Sequence, residues 1–141
     1  MNMKTWLFAL ALLPLAATAA DTSPVGRWTT LDDETGKPMT ITEVKEENGK
    51  LVARVVETLN DPKALCTKCS GTQKGKPIVG LKVLWDLEKT SDGWGNGQGF
   101  KPSSGDSFKA KSVKVTNAGK TLEITGCKLM FCRTAKWQRA A

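Results

Sequence analysis

The chain has 141 residues and a formal net charge of +7, from 21 lysines and arginines against 14 acidic residues, and it contains neither histidine nor tyrosine. That length supports one domain around one core. Without histidine it lacks the commonest general base and the commonest zinc ligand together, which weighs against an enzyme and against a metal centre.

Residues 1–20 read as a leader rather than as part of the fold. Lys4 supplies a positive charge, residues 6–15 are apolar, and Ala17, Thr18, Ala19 and Ala20 form a small-residue cleavage region. The apolar run is too short to span a bilayer comfortably and contains Pro14. The expectation is a signal peptide cut after Ala19 or Ala20, a periplasmic or secreted location, and a single domain over residues 21–141. No later apolar run in that mature segment is long enough for a transmembrane segment. Losing Lys4 lowers the formal charge from +7 to +6. Export turns the reading of that charge away from nucleic acid and towards an anionic envelope component. The lysines are spread along the chain, as a solvated surface requires.

In chain order, residues 25–31 form the first strand candidate, and Asp32, Asp33 and Gly36 then turn the chain. Residues 39–44 alternate apolar and polar side chains. Asn48-Gly49 is a strong hairpin signal, and the valine-rich residues 51–59 return from it. Residues 60–77 are a long connection broken by Pro62, Gly71, Gly75 and Pro77, and long loops are often functional. Residues 78–88 resume as a strand with Val79, Leu81, Val83, Trp85 and Leu87 on one face. Residues 91–99 are dense in glycine around Trp94, read here as backbone freedom in a twisted or bulged strand. Residues 102–106 turn. The apolar phase of residues 108–116 slips between Ala110 and Val113, as a bulge causes.

Residues 121–139 close the chain as a hairpin with a cysteine at each rim of its loop. Its last strand, residues 129–137, places Leu129, Phe131, Arg133, Ala135 and Trp137 on one face. An arginine on an apolar face needs a partner, and Trp28 is the candidate, with Arg27 and Arg139 as rival cations for that ring. Eight short strands without an amphipathic helix predict an all-β fold, an antiparallel up-and-down barrel or a small sandwich.

Gly26 and Trp28 on the first strand, with Arg133 on the last, resemble the calycin signature of lipocalin-like barrels, in which a late cation packs over the tryptophan. A second similarity covers nearly the whole mature chain. It rests on Val25-Gly26-Arg27-Trp28, Cys66-Thr67-Lys68-Cys69 with Gly71, and Lys76-Pro77-Ile78-Val79-Gly80. It continues through Trp94-Gly95-Asn96-Gly97, Pro102, Gly105, Leu122, Gly126, Cys132-Arg133-Thr134, Trp137 and Arg139. These residues resemble an exported bacterial family, domain of unknown function two-one-four-seven. The resemblance implies a lipocalin-like barrel and export, with no established activity. Lys101 stands where that family tends to have aspartate, and Phe108 where it tends to have tyrosine.

Four cysteines allow three pairings. The spacing favours Cys127 with Cys132 across the hairpin and Cys66 with Cys69 inside the long connection. The Cys66–Cys69 pair has three readings: a structural clip, a redox-active pair beside Lys68, or half of a zinc site.

No catalytic constellation emerges from the remaining residues, and no cofactor is implied. Asp32, Asp33 and Glu34 read as a solvated turn, and the Gly93 to Gly99 glycines lack the Lys-Ser/Thr and helix of a phosphate loop. The function expected is an exported binding protein whose barrel holds a small apolar or amphiphilic ligand. Trp28, Val83, Trp85, Phe131, Arg133 and Trp137 are the expected ligand-binding residues. The alternative is an envelope interaction protein that uses the basic, clipped loop of residues 63–76, with a thiol-active envelope protein behind it.

Overall fold

The computed structural model describes residues 22–140, so the expected leader, residues 1–20, lies outside the described residues. Eight strands follow one another: β1 (Gly26–Leu31), β2 (Pro38–Glu47), β3 (Lys50–Thr58), β4 (Lys82–Lys89), β5 (Trp94–Lys101), β6 (Asp106–Thr116), β7 (Thr121–Lys128) and β8 (Phe131–Arg139). Each pairs antiparallel with its neighbour in sequence, and β8 returns to β1, closing the barrel. The barrel reading of the alternation therefore holds and the sandwich does not. Among the described residues no helix is long and apolar enough to cross a membrane.

Local chemistry sets the turns. Asn48 and Gly49 both take positive φ, 52° and 78°, the conformation a tight β2–β3 hairpin needs. The phase slip in β6 is a register shift between Ala110 and Ser112, which keeps both Ala110 and Val113 buried.

One expectation for β4 fails. Asp86 adopts φ 58°, and the β3–β4 register shifts on either side of Ala53. The backbone irregularity resets the alternation, so Leu84 and Leu87 are fully buried while Trp85 is only half-buried and outside the core. Aspartate is one of the few side chains that tolerates this conformation.

The core fills the end of the barrel where β1 begins and β8 finishes. Trp28, Val44, Leu51, Leu87, Val113 and Leu122 are inaccessible there, each burial being worth about 1.5–3 kcal/mol for side chains of this size. The opposite end carries the β1–β2, β3–β4, β5–β6 and β7–β8 connections. The long β3–β4 connection folds back on itself: Leu65 bridges Pro77, and the Cys66 N–H donates to the Lys76 carbonyl. Its Cys66–Cys69 disulfide packs with Leu81, Ile78 and Phe100 as a second small cluster.

Candidate functional site

At the sealed end, the Trp28 indole Nε1–H donates to the Pro24 carbonyl at 2.8 Å. The Arg139 guanidinium carbon stands 4.2 Å from the ring centroid. Arg139 also donates to the Gly119 carbonyl from Nε (2.6 Å) and to the Ser23 carbonyl from Nη2 (2.8 Å). Gly26 has φ 139°, and a Cβ there would come within 3.1 Å of Arg139 Nη1. The positive φ is what calls for glycine, and the nearby guanidinium tip adds to it. The cation over Trp28 is therefore Arg139 and not Arg133. The inward face of β8 continues Arg133, Ala135, Trp137 to Arg139, and Arg139 is the residue paired with Trp28 across β1 and β8.

Above this floor lies a cavity of about 460 Å³. Its wall is mostly apolar, with Val55, Val83, Leu84, Phe108, Ile124, Ala135 and Trp137, and Ile78 reaches it from the long connection. One stripe of the wall is polar. The Thr30 and Thr40 hydroxyls lie 2.6 Å apart and those of Thr40 and Thr42 lie 3.2 Å apart, with Thr42 wholly buried. A ladder of hydroxyls on an otherwise apolar wall offers hydrogen bonds to a polar group on a largely apolar guest.

The wall owes part of its shape to missing side chains. The Phe108 ring lies against the positions where Gly99 and Gly126 would carry a Cβ, at 2.2 and 2.6 Å, and Leu87 fills the corresponding space at Gly97. None of Gly93, Gly95, Gly97 or Gly99 has a positive φ. Their role is close approach by neighbours, not the backbone freedom expected of them.

The mouth is crossed by an ion pair between Lys101, at the end of β5, and Asp33, in the β1–β2 connection on the far side of the ring. Beyond it an outer basin of about 710 Å³ is bordered by Lys128, Phe131, Arg133, Gly126 and Asp106. Backbone N–H groups of Thr35 and Glu34 hold the Asp32 carboxyl below the usual carboxylate range. The Lys128 ammonium, 2.9 Å away, does the same for Asp106, aided by Ser104. Lys101 and Asp33 thus place a bar across the mouth.

The cavity also reaches the side of the barrel. The β1–β8 ladder has two pairs, Trp28–Arg139 and Thr29–Gln138, and the Ala140 N–H donates to the Arg27 carbonyl just past its end. Beyond these, Thr30 and Leu31 on one strand and Thr134, Ala135, Lys136 and Trp137 on the other all border the cavity.

Of the six expected ligand-binding residues, Val83 and Trp137 line the cavity. Phe131 and Arg133 border only the outer basin, and both are exposed. Trp28 is sealed beneath the cavity without lining it, and Trp85 borders neither space. The threonine stripe escaped the sequence reading, although Thr40 and Thr42 share a face by simple alternation.

Both expected cysteine pairs are disulfides, Cys66–Cys69 and Cys127–Cys132. They are separate clips, and no group of three or more potential metal ligands occurs among the described residues.

Residues 26–139 match the model of a family described as an uncharacterised protein conserved in bacteria, DUF2147. Among solved structures, the fold is similar to that of protein HP1028 from Helicobacter pylori, described as belonging to the lipocalin family. The two share 20% identity with a TM-score of 0.72, over 85% of this chain and 84% of that one. No curated protein matches significantly.

Proposed function

The chain belongs to the DUF2147 family of bacterial proteins, and on that footing we propose that it is a non-catalytic, exported binding protein that holds one small apolar or amphiphilic molecule in its barrel. The observation that carries this reading is the cavity of about 460 Å³ between the Trp28–Arg139 floor and the Lys101–Asp33 bar. Ligand sites commonly occupy about 300–1,000 Å³, with mostly apolar walls and a few placed polar groups. Val83, Ile124 and Trp137 supply the apolar contact, and the Thr30–Thr40–Thr42 hydroxyls supply the polar one. The lipocalin-like fold is in keeping with it, since an eight-stranded barrel has room for one small ligand. Export rests on the composition of residues 1–20.

The test is native mass spectrometry on protein recovered from the exported fraction, compared with its denatured, unreduced mass. The expected result is a mature chain beginning near residue 21 that carries a discrete excess mass lost on denaturing. Ala135→Phe, which fills the cavity from β8, should abolish that excess while leaving the fold intact. A wild-type protein with no excess, after incubation with envelope lipid extract, overturns the reading.

A second reading has its own observation. Lys63, Lys68, Lys74 and Lys76 are all exposed on the clipped β3–β4 connection, a basic surface suited to an anionic envelope partner. It is favoured if the barrel is empty and replacing these lysines abolishes capture of such a partner. A thiol-active role is less well supported, because Cys66 and Cys69 are 1% and 5% exposed and offer little access to an attacking thiolate.

A further inference from the structure

The β7–β8 hairpin ends in an anomaly. Lys128 pairs with Phe131, so Leu129 and Met130 form a two-residue turn. Turns of this length favour Asn-Gly, Asp-Gly or Gly-x, because their central residues need positive φ. Here Leu129 takes that role at φ 57°, a conformation that is strained for a side chain with a Cβ. The turn is also almost fully in water: Leu129, Met130 and Phe131 are 94%, 92% and 78% exposed. Neither folding nor solubility accounts for three consecutive large apolar side chains at this tip. The Cys127–Cys132 disulfide, pairing the strands just behind it, fixes how the tip is presented.

We propose that this tip is a membrane-docking finger that inserts Leu129, Met130 and Phe131 into an anionic lipid surface. Two arguments select lipid over a protein partner. A stable protein interface engages roughly 20 or more residues a side, far more than a two-residue turn and its flank present. Interfacial insertion has no such requirement: it needs only apolar side chains that reach past the headgroups, with cations to meet the anionic ones. Those cations are in place. Arg133 follows the apolar triplet and has no carboxylate partner among the described residues, while Lys128 precedes it and is exposed though paired with Asp106 at 2.9 Å. The same residues border the outer basin, so a docked finger turns the mouth of the barrel towards the membrane. The docking does not depend on the barrel holding a ligand, and an empty barrel should dock equally well.

The experiment is co-sedimentation of the oxidised mature chain with vesicles of phosphatidylethanolamine and phosphatidylglycerol, with phosphatidylcholine vesicles as the neutral control. The decisive variant is Leu129→Gly with Met130→Asn, which installs a favoured turn and should fold at least as well as the parent. It should lower partition onto anionic vesicles by about ten-fold or more. Arg133→Gln should weaken binding to anionic vesicles and leave the neutral control unchanged. A folded turn variant that binds like wild type overturns the proposal, as does a wild type that ignores both vesicle types. Tip-dependent dimerisation without vesicle binding also overturns it and assigns the finger to self-association.

Discussion

Arg139 and Trp28 close the barrel twice over. They face each other in the β1–β8 ladder, and the guanidinium of one caps the indole of the other at 4.2 Å. The sheet is thus joined by the same two residues that seal its floor. Arg139→Ala removes the cation over the ring and two charge-assisted hydrogen bonds, and should cost about 2–4 kcal/mol. Arg139→Lys keeps the charge but not the fork that reaches both Gly119 and Ser23, and should recover only part of the loss. Urea denaturation of the three proteins measures this. A loss below about 0.5 kcal/mol for Arg139→Ala, the range of an ordinary surface change, would show that the cap is ornamental.

Phe108 and Gly126 make a second pair with a measurable coupling. A Cβ at Gly126 would sit 2.6 Å from Phe108 Cδ2, and Gly126 has no positive φ that would by itself strain an alanine. Gly126→Ala should therefore cost about 1–3 kcal/mol through overpacking alone. In a Phe108→Ala background the same change should be neutral or slightly stabilising, since alanine suits a strand better than glycine does. The double-mutant cycle should return a coupling of about 1 kcal/mol or more. Additive effects would mean that the ring does not depend on the missing side chain.

Acid should loosen the open end first. The Asp32 and Asp106 carboxyls are both held below their ordinary range, by backbone N–H groups of the β1–β2 turn and by Lys128 respectively. A carboxyl whose pKa is lowered by folding stabilises the fold above its unfolded value, near about 4. That contribution fades as the pH falls through the lower folded value. Carboxyl-carbon NMR titration should find both midpoints below that of a free aspartate. Asp106→Asn should remove the share of acid sensitivity seen in β7–β8 amide exchange. Midpoints at or above the free value would contradict the geometry.

Much of the architecture can be read from side-chain alternation, and where that reading fails the cause is local. The inward parity of β8 is correct from Arg133 through Trp137, yet the strand runs on to Arg139, where the cation that matters sits. Ending the strand at Trp137 leaves Arg139 only a rival to Arg133, because alternation is then not followed the two further positions that bring it inward. Trp85 is misplaced because Asp86 resets the strand, and an aspartate permits a left-handed backbone without requiring one. The glycines of β5 are legible as glycines but not as to purpose. Whether one serves a turn or a close neighbour depends on what Leu87 and Phe108 do on adjacent strands. The cavity is harder still: its volume is set by which of these side chains lie flat against the wall.

The short β1–β8 clasp has a kinetic consequence. A fully laddered ring can release a guest only along its axis, past the bar at the mouth. Here the β1–β8 ladder runs only through Trp28–Arg139 and Thr29–Gln138, with the Ala140 N–H donating to the Arg27 carbonyl below it, and beyond Thr29 both strands border the cavity. On the binding function proposed above, the lifetime of a guest should follow how often the two strands part along this seam. A guest longer than the barrel need not fit inside it, because its surplus can trail through the side.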